Sequence, residues 1–201
     1  MIRLASPVIS DDACAAAIEV LRSGQLIHGP VGRAFEDALA SFFGASHVIV
    51  VSSGTAALHI ALLGLGIGRG DAVLVPDFTF PATANSVELV GARPVFVDVH
   101  NRTYNVTPES VEAAISAWKG PEKLAAIMPV HEFGCPADAN ALQTIASRHS
   151  LRMIEDAACA IGASIGPEYV GTFGIAGCFS FHPRKTLTTG EGGAVITHDA
   201  E

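Results

Sequence analysis

Three segments of the sequence combine residue types that could bind a phosphate and carry out amine chemistry. The first runs from Phe179 to Gly193 and places Lys185 between an apolar strand and a glycine-rich turn. A lysine that is removed from water loses its proton more readily, and the free amine can attack a carbonyl carbon. Most lysines are solvated surface charges, so it is this setting that makes Lys185 a candidate nucleophile.

The second segment, Ser53-Gly54-Thr55, follows the apolar run 48–51 and opens a helix. The first turn of a helix offers free N–H groups and the positive end of the helix dipole, and both suit a phosphate. Gly54 would let the anion approach the backbone, and Thr55 adds a hydroxyl group. A plain Ser/Thr helix cap explains the same residues, so both interpretations stay open at this point.

The third segment is a pair of acids, Glu155 and Asp156, directly after the apolar run 151–154. A carboxylate at that depth needs a partner, because a lone buried charge is costly. A protonated pyridine nitrogen would be one such partner, and a salt bridge or a helix cap would be another.

Other motifs for binding nucleotides or metals are incomplete. Lys185-Thr186 could end a P-loop only if glycine preceded Lys185, and Arg184 stands there. The G-x-G run at 64–69 follows a helix rather than a strand and ends in arginine. The segment 131–135 begins like a zinc-binding H-E-x-x-H helix but has cysteine in place of the second histidine.

Alternating strands and helices must position these segments. Apolar runs predict strands at 48–51, 72–75, 94–99, 124–130, 151–154, 176–181 and 193–197, the last two close together and joined by the glycine-rich loop. Periodic segments predict helices at 11–23, 30–43, 55–65, 79–90, 108–118 and 138–149. The pattern predicts a three-layer α/β fold, with a mainly parallel sheet and helices on both faces. In such sheets ligands bind beyond the carboxyl ends of the strands.

Composition narrows the class of protein. The formal net charge of −8 disfavours nucleic-acid partners, which need clusters of Lys and Arg. Long apolar stretches are interrupted well before the roughly 18 residues of a membrane span, and no signal peptide is visible at the start. Four cysteines without a C-x-x-C pair indicate free thiols and a cytoplasmic location.

Taken together, the segments resemble the DegT/StrS type of nucleotide-sugar aminotransferase, within the aspartate-aminotransferase fold group. The motifs that carry the resemblance occur in the family's order along essentially the whole chain. They are Gly29-Pro30 with Phe35-Glu36, the run 53–58, the run 76–85, Pro129-Val130-His131 with Gly134 and 136–138, the run 155–158, and Ser180-Phe181-His182-Pro183-x-Lys185 leading to 189–193.

The resemblance implies a cofactor, pyridoxal 5′-phosphate, and roles for seven residues. Lys185 would hold the cofactor as a Schiff base and later move the proton, and Asp156 would pair with the pyridinium nitrogen. The remaining cofactor contacts would be Phe80 against the ring face, Cys159 near the phenolic oxygen, and Gly54, Thr55 and Ser180 at the phosphate. No metal site is expected.

The resemblance also implies transfer of an amino group from an amino acid, commonly glutamate, to a nucleotide-linked keto-sugar. The setting would be polysaccharide, O-antigen or deoxysugar biosynthesis, and the assembly a homodimer without nucleic acid or membrane partners. Three positions differ from the family pattern and make the substrate harder to assign. Cys159 occupies a position that is often Gln or His in the family, Thr186 one where Asn is common, and Cys135 one where Gln is common.

The predicted organisation is an N-terminal helical segment, 1–25, followed by the cofactor-binding large domain, 26–201. Family members continue for about as many residues again into a smaller C-terminal domain, so the chain is expected to be truncated. Two alternatives remain at this point: a cofactor-binding regulator without transaminase activity, and an inactive remnant that only self-associates. Sugar dehydratases of the family usually have His in place of the lysine, so Lys185 argues against that chemistry.

Overall fold

The computed structural model describes residues 5–200; residues 1–4 of the predicted N-terminal segment and residue 201 lie outside them. The main sheet contains the strands β1 (His47–Val51), β2 (Asp71–Pro76), β3 (Arg93–Val97), β4 (Lys123–Ile127), β5 (Arg152–Asp156), β8 (Ala176–Ser180) and β9 (Gly193–Thr197). Their order across the sheet is β1-β9-β8-β5-β4-β2-β3. Two short strands, β6 (Ser164–Ile165) and β7 (Glu168–Tyr169), form a separate hairpin that the apolar pattern did not predict.

The sheet is mainly parallel, as predicted. The pairs among β3, β2, β4, β5 and β8 are all parallel. β9 is antiparallel to both of its neighbours, β8 and β1, because the glycine-rich loop turns the chain straight back beside β8. β9 is therefore the one strand of this sheet that runs against the others.

Residues 5–200 contain six α-helices and one 3-10 helix, and all but the first two helices lie between strands. They are α1 (Asp11–Ser23), α2 (Pro30–Phe43), α3 (Gly54–Gly64), α4 (Ala82–Leu89), α5 (Pro108–Ala117), α6 (Ala139–Arg148) and the 3-10 helix Glu132–Gly134. Side chains cap several N-termini: the hydroxyl of Ser53 accepts the N–H of Ala56, and Thr107 and Ser110 form a reciprocal capping box.

The predicted start of α4 at Thr79 is wrong by three residues. Pro81 is the N-cap residue, and the segment before it is a loop. Asp77 donates its backbone N–H to the carbonyl of Val97, and Thr79 and Thr83 share a hydroxyl hydrogen bond of 2.9 Å. These contacts hold the loop against the next strand and delay the helix.

The core lies on both faces of the sheet. Along β2, Val73 and Val75 pack into the cluster formed with α3 and α4, whereas Leu74 packs into the cluster formed with α5 and α6. Because side chains alternate along a strand, this division means helices on both sides, as the fold prediction required. A third cluster joins α2 to the centre of the sheet through Phe43 and Phe179.

The helix α1 contrasts with this core, because none of its residues is buried. Its apolar side chains Ile18 and Leu21 are both exposed. Within residues 5–200, no helix is both long enough and apolar enough to cross a membrane.

Candidate active site

The structure brings the three predicted segments together at the carboxyl edge of the sheet. The start of α3 contacts the last residue of β8, since a Cβ atom added to Gly54 would come within 2.7 Å of the Ser180 Cβ. The residue after Asp156 donates its backbone N–H to Cys178 of β8 at 2.9 Å. These contacts arise because β5 and β8 are neighbours and end at the same edge.

The N-terminus of α3 offers a cradle that a side chain would fill. Gly54 is buried and Thr55 is exposed beside it, and the hydroxyl of Ser180 would lie 3.2 Å from a Cβ atom at position 54. The helix has eleven residues, so its first turn presents unpaired N–H groups and a positive dipole end. A phosphate fits this arrangement, because glycine leaves the backbone accessible and the hydroxyls can donate.

Asp156 ends β5 as a buried carboxylate that is only 5% exposed. Its Oδ2 accepts a hydrogen bond of 2.8 Å from the Thr83 hydroxyl, and its Oδ1 accepts the N–H of Ala158 at 3.2 Å. Among the described residues, no Lys, Arg or His side chain forms a salt bridge with it. Burial raises the pKa of Asp156, while the hydrogen bonds from Thr83 and Ala158, and to a smaller extent the charges of Lys185 and His131, lower it in part.

A carboxylate in this state suits a cationic ligand atom. Two donors orient its oxygens, yet neither carries a charge that would offset the burial. The pyridinium nitrogen of pyridoxal phosphate would provide that charge and would favour the ionised carboxylate. The donors and acceptors of the site therefore fit the cofactor at both of its ends.

Replacing Asp156 with asparagine should stabilise the cofactor-free protein and weaken cofactor binding. The pKa of this carboxyl group is higher in the folded protein than in the unfolded chain. Its contribution to the free energy of unfolding is therefore fully present at a pH below the unfolded-state pKa, and it is lost as the pH rises through the folded-state pKa. Asparagine removes this loss, so urea unfolding at pH 7 should give a higher free energy of unfolding for Asp156→Asn than for the wild-type protein. Asp138→Asn, at the exposed N-cap of α6, is the matched control and should leave stability nearly unchanged. A destabilised Asp156→Asn protein would contradict the argument.

Glu155, the neighbour of Asp156, has a different environment. Its side chain is 0% exposed and accepts three backbone N–H groups, those of Gly171, Phe173 and Gly174, at 2.7–2.8 Å. The fourth donor is His131, whose Nε2 lies 2.9 Å from Oε2. Glu155 therefore fixes the loop before β8, whereas Asp156 points to the carboxyl edge.

The position of His131 is also determined by backbone contacts. Its Nδ1 accepts the N–H of Ala137 at 3.0 Å, so the ring hydrogen is on Nε2, facing Glu155. Its backbone N–H donates to the carbonyl of Asp156 at 3.0 Å. The histidine that resembled a zinc ligand in sequence thus links the loop after β4 to the end of β5.

Lys185 lies in the loop between β8 and β9 and is partly buried. Its Nζ donates a hydrogen bond to the Sγ of Cys159 at 2.9 Å. The structure thus brings two of the predicted cofactor contacts, Lys185 and Cys159, against each other, although they are 26 residues apart.

Phe80 lies in the loop before α4, and its side chain is 74% exposed. The carbonyl of Phe80 accepts the N–H of Thr83, the residue that holds Asp156. The aromatic ring is therefore tied through one helical turn to the carboxylate, and it has a free face for a planar ligand.

Sequence reasoning missed three residues at this edge: Thr83, Asn105 and Glu132. Asn105 accepts the N–H of Glu132 and donates to the carbonyl of Cys135, both at 2.9 Å, and thereby joins two loops. Burial raises the pKa of Glu132, the negative charge of Asp156 raises it further, and Lys185 lowers it. These roles are hard to predict from the sequence, because Thr83 only follows a loop with aromatic residues and Glu132 lies in an incomplete zinc-binding motif.

Comparison with known proteins agrees with this geometry. The model of the DegT/DnrJ/EryC1/StrS aminotransferase family matches residues 7–201. A curated UDP-N-acetyl-3-dehydro-α-D-glucosamine 3-aminotransferase from Acidithiobacillus ferrooxidans is 47% identical over 194 residues, which are 96% of this chain and 51% of that protein. The chain thus spans about half the length of this curated relative.

Solved structures show the same architecture. An aminotransferase of this type from Brucella abortus superposes with a TM-score of 0.90 at 46% identity, over 93% of this chain and 51% of that one. NtdA from Bacillus subtilis, solved with bound cofactor PMP, gives a TM-score of 0.85 at 34% identity, over 95% of this chain and 43% of that one.

The mainly parallel sheet with helices on both faces is the fold of pyridoxal-phosphate-dependent aminotransferases, as the superposition with these structures shows. The chain belongs to the DegT/DnrJ/EryC1/StrS aminotransferase family. Aminotransferases of this family use pyridoxal 5′-phosphate.

Proposed function

We propose that the protein is an aminotransferase that moves an amino group from an amino acid, with glutamate as the expected donor, to a nucleotide-linked keto-sugar. One observation carries the proposal: Lys185, Asp156 and the phosphate cradle at Gly54 converge at one edge of the sheet. When bound, pyridoxal phosphate supplies an electrophilic carbonyl carbon and an electron-withdrawing ring.

The residues of the site divide the remaining work. Lys185 would hold the carbonyl carbon of the cofactor through Nζ and would carry the proton at the reacting carbon. Asp156, oriented by Thr83 and Ala158, would pair with the ring nitrogen and keep it protonated. The α3 cradle with Gly54, Thr55 and Ser180 would hold the phosphate, Phe80 would lie against the ring face, and Cys159 would lie near the phenolic oxygen.

The sugar class is proposed from the curated relative, whose name specifies a UDP-linked N-acetylated hexosamine with a keto group at carbon 3. At 47% identity, a nucleotide-linked 3-keto-sugar is the first substrate to assay. A nucleotide-linked substrate supports the further proposal that the reaction takes place in the cytoplasm, in the assembly of a polysaccharide, an O-antigen or a deoxysugar. The free thiols of the chain suit a reducing compartment.

An assay of amino transfer tests this function directly. Protein supplied with pyridoxal phosphate and glutamate should convert the UDP-linked 3-keto-sugar to its amino sugar, with one 2-oxoglutarate released per product. The absorbance of the lysine-bound cofactor should fall when glutamate is added and return when the sugar is added. Conversion of glutamate without amination of any nucleotide-linked sugar would contradict the proposed substrate class.

We propose further that residues 26–201 form the cofactor-binding domain, with 1–25 as a separate helical segment. The absence of any buried residue in α1 supports this division. An exposed aromatic cluster of Phe78, Tyr104 and Phe133 lies at the site edge and supports pairing with a second copy. Tyr104 and Phe133 both have left-handed backbones, at φ 59° and 54°, and such strain is typical of functional surfaces.

Light scattering should therefore give a mass of at least two chains of 20.7 kDa.

A ligand that binds only the native state stabilises it by mass action, by about 2.7 kcal/mol at a concentration 100 times its dissociation constant. Added pyridoxal phosphate should accordingly raise the melting temperature, whereas pyridoxal without phosphate should do so much less. A monomer whose melting temperature is unchanged by pyridoxal phosphate would contradict this proposal.

A further inference from the structure

The contact between Lys185 and Cys159 has a chemical consequence beyond cofactor binding. The Nζ–Sγ distance of 2.9 Å brings a primary amine and a thiol into direct contact, and both residues are partly buried rather than sealed off. A small oxidant in solution can therefore reach the pair, and any electrophilic form of the sulfur would meet the amine immediately.

The backbone fixes both partners of this contact. Cys159 lies in a tight turn in which Ala160 donates its N–H to Ala157 at 2.9 Å, and both alanines are buried. The backbone N–H of Lys185 donates to His182 at 2.8 Å. The amine and the sulfur are thus held close by rigid turns, and only the flexible lysine stem has to move for them to bond.

The other cysteines do not share this setting. Cys178 is buried, and burial together with the charges of Asp156 and Glu155 raises its pKa well above the ordinary value. Cys14 and Cys135 are exposed. Within residues 5–200, Cys159 is the one cysteine whose sulfur has a lysine nitrogen within hydrogen-bond distance.

We propose that Cys159 and Lys185 form a peroxide-sensitive modification site that closes to a covalent sulfur–nitrogen cross-link. Hydrogen peroxide first oxidises the thiol by two electrons, giving the sulfenic acid Cys159–SOH and one water. The free amine of Lys185 then attacks the sulfur, the S–O bond breaks, and hydroxide leaves with a proton from nitrogen as a second water. The sum is RSH + R′NH₂ + H₂O₂ → RS–NHR′ + 2 H₂O, and a thiol reductant reverses the S–N bond.

The cross-link occupies the nitrogen that would carry the cofactor. Bound cofactor should therefore protect the pair, and a cross-linked protein should not take up cofactor on Lys185. This consequence rests on the proposed function, whereas formation of the cross-link rests only on the contact between the two side chains.

Peptide mapping by mass spectrometry tests the cross-link. The full chain with Cys14→Ser and Cys135→Ser, stripped of cofactor, should yield on peroxide treatment a species that has lost two hydrogen atoms. That species should join the peptides of Cys159 and Lys185 and revert with dithiothreitol. With pyridoxal phosphate at about 100 times its dissociation constant, about 1% of the lysine stays free, so cross-linking should slow roughly 100-fold.

The controls separate this proposal from the proposed function. Cys159→Ser, which leaves only the buried Cys178 in this chain, should yield no cross-link. Oxygen added to Cys159 with Lys185 free, an unmodified Cys159, or a cross-link that retains an oxygen atom would each overturn the proposal. Cross-linking that pyridoxal phosphate does not slow would leave the S–N bond established and would instead contradict Lys185 as the cofactor residue.

Discussion

Replacing Lys185 with alanine should abolish covalent attachment of the cofactor and lower the rate of amino transfer by roughly 10³-fold or more. Under the proposed function, alanine removes both the amine that would bond the cofactor and the base that would move the proton. Folding should be little affected, because Lys185 is partly buried in a loop and its one described side-chain contact is with Cys159. Borohydride reduction in the presence of pyridoxal phosphate, followed by peptide mapping, measures the attachment.

The chain offers matched controls because it contains two other lysines, Lys119 and Lys123. Lys119 is exposed and donates to the carbonyl of Ser116, and Lys123 begins β4. Alanine at either position should leave both labelling and rate unchanged. Label on Lys119 or Lys123 in the wild-type protein, with Lys185 unlabelled, would refute the assignment.

Replacing Glu155 with alanine should cost about 4 kcal/mol of unfolding free energy, the range seen when a buried, hydrogen-bonded charge loses its partner. The buried N–H of Gly171 and the buried His131 ring would lose their acceptor, as would the half-buried N–H groups of Phe173 and Gly174. Since whole domains are stable by only about 5–15 kcal/mol, much of the variant could unfold during expression. Urea unfolding monitored by circular dichroism gives the value.

Glu112→Ala is the comparison for this measurement. Glu112 also has two partners, Arg148 and His149, but all three side chains are at least partly exposed, so their pairs should contribute about 1 kcal/mol or less. Equal and mild losses for Glu155→Ala and Glu112→Ala would show that the Glu155 hydrogen bonds do not anchor the loop. Asp156, although adjacent to Glu155, should show the opposite sign on replacement with asparagine.

Much of this fold was predictable because its strands are continuous apolar runs and its helices carry clear end signals. The helix Asp11–Ser23 ends at Gly24, which adopts the left-handed backbone that glycine favours, and β9 was predicted with both boundaries correct. The hairpin of β6 and β7 escaped prediction because each strand has only two residues. The start of α4 was misplaced because contacts from another strand hold the loop before it.

Several residues of the candidate site could be proposed from the sequence, but the contacts between them could not. Gly54, Asp156 and Lys185 carry local signals, since each follows an apolar strand at a turn. The Thr83–Asp156 hydrogen bond joins residues 73 positions apart, and only the order of the strands brings them together. Glu155 and Asp156 have different environments because their side chains leave β5 in different directions, and because the loops that contact them come later in the chain.

The position of β9 has a consequence for how the protein is made. In the described chain β1 pairs only with β9, so during translation the first strand joins the sheet only after residues 193–197 have been made. The cradle at Gly54 contacts Ser180 of β8, and Lys185 follows β8 in the chain, so the cofactor cannot guide the steps of folding that precede these residues on the ribosome. Domains whose strands pair mainly between distant parts of the sequence fold in roughly milliseconds to seconds. A nascent chain that pauses before residue 193 exposes unpaired edges of β1 and β8, and chaperones rather than cofactor would have to protect it.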